Sequence, residues 1–349
     1  MSDAERTLSQ AELNRALLDR QLLLARRRLP LAKAIERIAG IQAQYAPSMY
    51  IGLWSRLEGF EREQLDRALV RRTLVQGTSL RSTIHLLTPS DWWTFAAAIT
   101  DERREQWLRT RRETADAKGM AAATRRARPL FADPPVERKR LQEVVALGAP
   151  GISGINAWLS LVRVPPSGTW ERRRADLFEL ASDWIGRAPT LAKSEATQGL
   201  VRSYLRGFGP ASVQEIQQWA GIGIRAIRAA LVKLELRGFR ADDGEELVDL
   251  PRLEITDPET PAPARFLPVW DATLLVHARR TQILPEEHRQ KVFNTRTPQS
   301  MPTFMVDGRV VGSWRYEKGR IELSPFERLS KAARRELDAE AERLAAFHR

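Results

Sequence analysis

The sequence predicts an α+β protein that is mostly helical and ends in a strand-rich region. Apolar residues recur at helical spacing through most of the chain, and helices followed by a β-hairpin occur three times. After residue 259 the pattern changes to short strands around tight turns. Helices followed by a hairpin are the order of a winged helix. We therefore expect three tandem winged-helix units and a C-terminal, β-rich domain that resembles a barrel.

The length of 349 residues is sufficient for several domains. We place the first winged helix at residues 1–130, the second at 131–190 and the third at 191–258. The β-rich domain and a terminal helix occupy 259–349. Because the three helical units follow one another at irregular spacing, they indicate domain duplication rather than a solenoid.

The first unit begins with Ser9 and Glu12, which have the spacing of a capping box at the start of a helix. Pro30 suits the first turn of a second helix. Apolar residues at helical spacing predict two more helices, around 49–57 and 65–69. The unit therefore starts as a helical bundle.

Two glutamines lie where the second helix weakens. Gly40 precedes Gln42 and Gln44, so both are expected at the end of the helix or in the turn after it. Gly77 marks a tight turn, and residues 79–87 are predicted to form a strand of the closing hairpin.

The second unit follows a helix that restarts at Pro89. Residues 131–135 have the composition of a linker, and helices are predicted near 136–147, where Gly148 ends the first, and near 153–163. A turn with a basic edge follows them, as in a wing.

The third unit has the spacing of a helix-turn-helix. A capped short helix over 212–219 precedes a glycine turn at 221–223, and a basic helix runs from 224 to about 237. Its apolar face points inward, which leaves Arg225 and Arg228 as candidate DNA contacts. The tip of the following hairpin is acidic, which argues against phosphate contact. A purely structural third unit is therefore the alternative.

The C-terminal region alternates strands and tight turns. Strands are predicted at 303–306, 310–316 and 320–323, and a charged amphipathic helix at 330–347 closes the chain. Several short strands around turns suggest a small barrel or a curled sheet.

The net charge is +12, because 56 Lys and Arg face 44 Asp and Glu. This excess favours a polyanionic partner over the alternative of an ordinary Arg-rich surface. Residues 101–140 alone contain 12 Lys or Arg and 7 Asp or Glu. They form either a solvated helix face with ion pairs or a surface that contacts phosphates, and the sequence leaves both open.

The absence of cysteine excludes disulfides, thiolate zinc sites and cysteine-ligated iron–sulfur clusters. No run of about 18 apolar residues occurs, and the N-terminus has no apolar signal core, so we expect a cytoplasmic protein without membrane contact. The chain has no phosphate-binding loop, dinucleotide fingerprint or hydrolase elbow, and we expect no cofactor. The histidines are not at metal-ligand spacing, so no metal is expected; they are His85, His277, His288 and His348. From the residues alone, the prediction is a multi-winged-helix DNA-binding protein.

Several segments in this order resemble the AlkZ-like family of winged-helix DNA glycosylases, and they span nearly the whole chain. The segments are Gln42 with Gln44, 81–85, 168–170, 204–210, 284–289 and 306–314. One branch of the family carries Gln-any-Asp and the other Gln-any-Gln, and this sequence is similar to the second. None of the segments is specific alone, but their order and coverage are.

The resemblance implies a monofunctional glycosylase that acts as a monomer on double-stranded DNA with alkylated bases, and an ability to unhook interstrand crosslinks. The residues expected to contact substrate or DNA are Arg81, Ser82, Thr83 and His85. His85 has the alternative of a buried core histidine with a single hydrogen bond. No lysine can be placed beside the glutamines, so a lyase step is not expected. The alternative function is a non-catalytic winged-helix regulator.

The resemblance also implies that Gln42 and Gln44 are catalytic. A glutamine cannot take a proton at neutral pH, but its carbonyl accepts and its amide donates, so it can orient a water molecule. Such weak catalysis suffices when the leaving base is cationic, as an N7-alkylated purine is. Gln44 is expected to matter most, because the sister branch carries its Asp there. From the residues alone, the favoured alternative is that both amides only satisfy loop backbone groups.

Overall fold

The computed structural model describes residues 4–174, 176–274, 280–293 and 300–349, and His277 lies outside these ranges. The first part of the chain is a set of helices that ends in a hairpin. Its elements are β1 (Ala4–Leu8), α1 (Gln10–Arg20), α2 (Leu31–Arg37), β2 (Ile41–Gln42), α3 (Ala46–Arg56), α4 (Arg62–Val70), β3 (Val75–Thr78) and β4 (Ile84–Leu87). The predicted capping box before α1 is confirmed, because the Ser9 hydroxyl accepts from the Glu12 amide and the Glu12 carboxylate from the Ser9 amide.

The predicted turn at Gly77 is wrong, because this glycine lies inside β3. The ring of Trp92 packs so closely on Gly77 that a Cβ there would clash with it. The turn lies instead at Leu80–Ser82, a 3-10 turn in which Arg81 and Ser82 have φ of 51° and 59°. A continuous strand over 79–87 is therefore also wrong, since left-handed residues break it before β4.

The second part again places helices before a hairpin. Its elements are α5 (Pro89–Thr110), α6 (Ala117–Ala127), β5 (Val136–Glu137), α7 (Arg138–Val145), α8 (Gly148–Leu159), β6 (Leu161–Arg163), β7 (Leu177–Leu180) and α9 (Ala181–Trp184). Gly148 begins α8 rather than ending α7, because the chain leaves α7 at the left-handed Ala146. The helix predicted near 153–163 ends early at left-handed Ser160 and is followed by β6.

The hairpins of the first two parts form one antiparallel sheet of six strands, in the order β2-β4-β3-β6-β7-β5. Gln76 pairs with Arg163 and Gly77 with Val162, which joins the parts through their central strands. The segment 131–135, predicted as a linker, buries Phe131 in the core of the second part. The chain therefore crosses from one expected unit to the next without leaving the folded structure.

The third part contains α10 (Lys193–Phe208), α11 (Val213–Ala220), α12 (Ile224–Val232), β8 (Arg237–Ala241) and β9 (Glu246–Asp249). The capping box of Ser212 and Glu215 is confirmed. The third helix is shorter than predicted, since it ends at Val232 and the chain has entered β8 by Arg237. One pairing was not predicted: β1 lies parallel to β8, which makes a sheet in the order β1-β8-β9.

The C-terminal part contains β10 (Arg265–Leu267), α13 (Arg289–Val292), β11 (Thr303–Val306), β12 (Arg309–Glu317), β13 (Arg320–Pro325) and α14 (Lys331–His348). The predicted strands and terminal helix are confirmed. The barrel-like closure is wrong for the described residues, because the four strands form an open sheet in the order β10-β11-β12-β13. Helices α3 and α14 cover the apolar face of this sheet, which includes Phe266, Phe304 and Trp314, so no closure onto itself is needed to bury it.

Two buried ion pairs connect the first part to the others. Arg56 of α3 binds both carboxylate oxygens of Asp271 at 2.9 Å, and Arg20 of α1 binds both of Asp249 at 2.7 Å. Removing one partner of such a pair leaves a buried charge and costs about 3–5 kcal/mol. The fold is thus α+β, and its hydrophobic cores contain side chains from more than one part of the chain. No helix in the described ranges is long and apolar enough to cross a membrane.

Candidate active site

Gln42 lies on the edge strand of the six-stranded sheet, directly opposite His85 of β4. The two side chains therefore share one face of the sheet. Gln42 is only 3% exposed, and its side-chain amide makes no hydrogen bond with any described residue. The predicted position at a helix end is corrected, because Gln42 is in β2, which the pairing with β4 holds extended.

Gln44 follows two residues later and is exposed. Its Oε1 accepts a hydrogen bond from the Ile84 amide at 3.0 Å, and the Ala43 amide donates to the Ile84 carbonyl at 2.7 Å. Ala43 is buried in the core, as expected. Gln42 is the last residue of β2, whereas Gln44 lies in the bend that follows this strand. The Gln44 Nε2 and a second lone pair of its Oε1 remain available.

His85 is a buried, neutral histidine. Burial is the largest cause that lowers its pKa to about 3, and the positive charges of Arg81 and Arg103 lower it further. Its Nδ1 lies 3.1 Å from the Thr83 carbonyl oxygen. Since a carbonyl only accepts, the proton is on Nδ1 and the Nε2 lone pair is an acceptor. The His85 side chain is therefore buried in the core, as the alternative predicts. Its Nε2 nevertheless offers a hydrogen-bond acceptor on the sheet face that carries Gln42.

Arg81, Ser82 and Thr83 form the turn between β3 and β4. The Arg81 guanidinium donates to the Trp219 carbonyl at the end of α11, and burial lowers its pKa to about 10. The Thr83 hydroxyl donates to the Leu80 carbonyl at 3.0 Å, while Ser82 is exposed. Arg81 therefore joins this turn to the third part of the chain, and its charge reaches His85.

Arg103 of α5 is a residue of this site that the sequence analysis missed. It is 9% exposed, its Nη1 donates to the Thr78 carbonyl at 3.0 Å, and its Nε has no partner among the described residues. Burial lowers its pKa to about 10. The sequence contained a signal for Arg103, because the apolar face of α5 runs through Trp92, Phe95 and Ile99 to this residue. A cation on an apolar face requires a specific role.

The structure does not bring Arg225 and Arg228 into contact with the glutamines. Both are exposed on α12, with no hydrogen bond or ion pair to any described residue. The start of α12 nevertheless lies near the turn before β4, because Gly221 packs on Arg81.

The local field is positive. Among the described residues, the charged groups that act on the pKa of His85 are the two guanidiniums of Arg81 and Arg103. No cluster of three metal-ligating side chains occurs in the ranges that the structure describes. The arrangement can orient a neutral water molecule by amide groups and can attract the phosphates on either side of a nucleotide.

Comparisons with known proteins show the family to which this chain belongs. A family model described as DNA glycosylase AlkZ-like matches residues 35–347. The interstrand DNA cross-link repair glycosylase of Streptomyces sahachiroi is 24% identical over 364 residues, which cover 94% of this chain and 93% of that protein. The solved structure of the Streptomyces sahachiroi DNA glycosylase AlkZ superposes with a TM-score of 0.84 at 21% identity, covering 98% of each chain. The family match covers most of the chain and confirms the expected enzyme class: this protein belongs to the AlkZ-like family of DNA glycosylases.

Proposed function

We propose that this glycosylase hydrolyses the N-glycosidic bond of cationic alkylated purines of the N7-alkylguanine type, and that it unhooks interstrand crosslinks of the same chemistry. The observation that carries the proposal is the unpaired Gln42 amide beside neutral His85, with Gln44 held two residues further along the chain. These groups position water but do not ionise it. Such a site requires a leaving base that already carries positive charge.

In the proposed mechanism, Gln44 holds the attacking water with the lone pair that Ile84 leaves free. Gln42 orients the same water molecule or contacts the sugar. The Nε2 of His85 accepts a hydrogen bond from whichever of these groups donates to it. Hydrolysis breaks the bond between C1′ and the base nitrogen and forms one from C1′ to the water oxygen. The departing base takes the bonding electron pair, which neutralises its charge, and the water proton goes to solvent.

Arg81 and Arg103 have a different role in this proposal. A positive charge near the sugar disfavours the oxocarbenium-like transition state, so these cations are not the stabilising groups. They match the phosphates that flank a nucleotide, as buried guanidiniums do elsewhere. We also infer that the helices with hairpins are tandem winged helices that bind duplex DNA as a monomer, with Arg225 and Arg228 against the backbone.

The test uses a duplex with a single N7-methylguanine and a matched duplex with guanine. Incubation followed by alkaline cleavage should produce one new break at the modified position, above the spontaneous depurination measured without protein. Without alkali the strand should stay intact, since a monofunctional enzyme leaves an abasic site. Loss of a crosslinked species on a denaturing gel tests the second substrate. Absence of any break above background would refute the proposed chemistry.

A further inference from the structure

A pocket of about 280 Å³ opens one residue beyond Gln44. Residues from three parts of the chain line it, among them Tyr45, Ser48, Trp170, Arg173, Tyr316 and His348. Ligands of drug size occupy pockets of about 300–1,000 Å³, so this one suits a single ring system. Neighbouring Cα atoms are about 3.8 Å apart. The pocket is therefore adjacent to the site of hydrolysis.

Two aromatic rings of the pocket are exposed and held in place. Tyr45 is 41% exposed, and its hydroxyl accepts from Arg173 Nη1 at 3.0 Å. Tyr316 is 38% exposed and stacks on His348, with 4.2 Å between ring centroids and 15° between planes. Exposed aromatic surface that is already ordered favours stacking of a flat ligand, because little entropy is lost on binding.

The charge of the pocket disfavours a cationic ligand. The Arg173 guanidinium lies 5.9 Å from the Tyr45 ring centroid, and Arg62 lies 5.0 Å from that of Trp170. Burial, followed by these two cations, lowers the pKa of His348 to about 4, so its ring is neutral at physiological pH. A cationic ring would be repelled by both guanidiniums.

The wall also contains polar atoms without partners. The Ser48 hydroxyl and the His348 Nε2 make no hydrogen bond with any described residue, although both atoms are buried. A hydroxyl can rotate toward a ligand, and a neutral imidazole nitrogen can donate or accept. Nucleobases combine a flat face with donors and acceptors on one edge, which is the complement of this wall.

We propose that this pocket stacks an uncharged nucleobase that has left the base stack of the bound DNA. The base is therefore not the cationic alkylated purine, but a neighbouring or opposite base. This inference rests on the proposed function only in requiring bound DNA near Gln44. Separating a neighbouring base from the stack would open the duplex where the glutamines must reach the sugar.

The test measures binding to three undamaged duplexes: one fully paired, one with a single unpaired adenine, and one with a tetrahydrofuran abasic analogue in place of that adenine. The parent protein should prefer the adenine bulge by about tenfold, the range of one base–aromatic stack. Tyr45→Leu and Tyr316→Leu should lose this preference, while Tyr45→Phe keeps the ring and should retain it. Val70→Ala removes exposed apolar surface elsewhere and should behave as the parent.

Equal affinity for paired and bulged DNA would overturn the proposal, as would a preference that persists with the tetrahydrofuran analogue, because then the bend is recognised and not the base. If the two leucine variants keep the bulge preference and lose only the excision of adducts with an aromatic substituent, the occupant is the lesion and the nucleobase proposal is wrong. Excision of N7-methylguanine is measured in parallel. Its failure would refute the proposed function, whereas the binding result stands by itself.

Discussion

Two regions meet at residues 44 and 45 and differ in almost every physical property. The first, which we call the glutamine edge, consists of Gln42, Gln44 and His85, and its polar groups are held by backbone pairing. The second, the ring pocket, exposes the aromatic faces of Tyr45 and Tyr316. Amides orient water with direction and little charge, whereas rings stack on flat ligands. In our proposals, hydrolysis and DNA distortion therefore belong to separate groups of side chains.

The largest expected effect is the choice of lesion, which depends on the glutamine edge alone. N7- or N3-alkylpurines with a positive charge should be excised, and uracil or 8-oxoguanine should show no release above background. The reason is that neither amide can protonate a leaving base. Duplexes that differ only in the modified base, assayed under single-turnover conditions, provide the measurement. Efficient uracil release would reveal an acid outside the glutamine edge and would break the comparison.

Next in size is the loss of the glutamines themselves. Gln42→Ala and Gln44→Ala should each slow single-turnover excision of N7-methylguanine by about 100-fold, the range of a positioning group. Gln44→Ala should lose more, because it also removes the acceptor of the Ile84 amide. Affinity for undamaged DNA and the melting temperature should hardly change.

Two controls separate catalysis from structure in that series. Gln44→Glu preserves an acceptor for the Ile84 amide, so it should restore the melting temperature if truncation lowers it. Gln106→Ala removes an exposed glutamine of α5 and should leave the rate unchanged. If Gln42→Ala and Gln44→Ala both keep excision rates within about twofold of the parent, the two glutamines have a structural role only.

A smaller effect is expected for DNA affinity away from both regions. Each lost phosphate contact makes the slope of log affinity against log salt less negative by about 0.9, so Arg225→Ala with Arg228→Ala should reduce its magnitude by about 1.8. The matched pair Arg111→Ala with Arg112→Ala tests the basic stretch 101–140 in the same assay. An unchanged slope in the α12 variant would assign the third part to scaffolding.

The smallest effect concerns the pH dependence of stability. The unfolded pKa of histidine is near 6.5, and the folded pKa of His85 is about 3. As pH falls below 6.5 the unfolded chain takes up the proton first, so this group lowers the free energy of unfolding by about 1.5 kcal/mol between pH 6.5 and pH 5. Urea unfolding of the parent and of His85→Asn should show a shallower dependence in the variant. Identical slopes would mean that folding does not lower the pKa of His85.

Local signals explain what the sequence predicted well. The capping boxes at Ser9 and Ser212 and the hairpin turn at Asp307–Gly308 depend on neighbouring residues, and the structure contains all three. The turn predicted at Gly77 was wrong because that prediction also used only neighbouring residues. A glycine is required there because the ring of Trp92, which is distant in the sequence, packs against it. The local pattern could not reveal that the first two hairpins share a sheet.

The candidate site likewise contains residues that the sequence could indicate and residues that only long-range packing brings to it. Gln42 and Gln44 could be selected through the family resemblance, and the roles proposed for them stay predictions. Arg103 lies 59 residues beyond Gln44 in the chain and reaches the site only because α5 packs beside β3. The ring pocket depends on Tyr316 and His348, which approach Tyr45 only when the C-terminal sheet lies against α3. Long-range packing therefore determines the parts of the candidate site that local sequence patterns could not predict.

The parallel pairing of β1 with β8 has a consequence for synthesis. Thr7 pairs with Arg240, so β1 leaves the ribosome long before its partner exists. Until then the strand has unpaired backbone groups, and such an edge can associate with another nascent chain. Four of its five residues are exposed in the final fold, and they include Glu5 and Arg6. Charged side chains on this strand would thus protect it from aggregation during the interval in which the rest of the protein is being made.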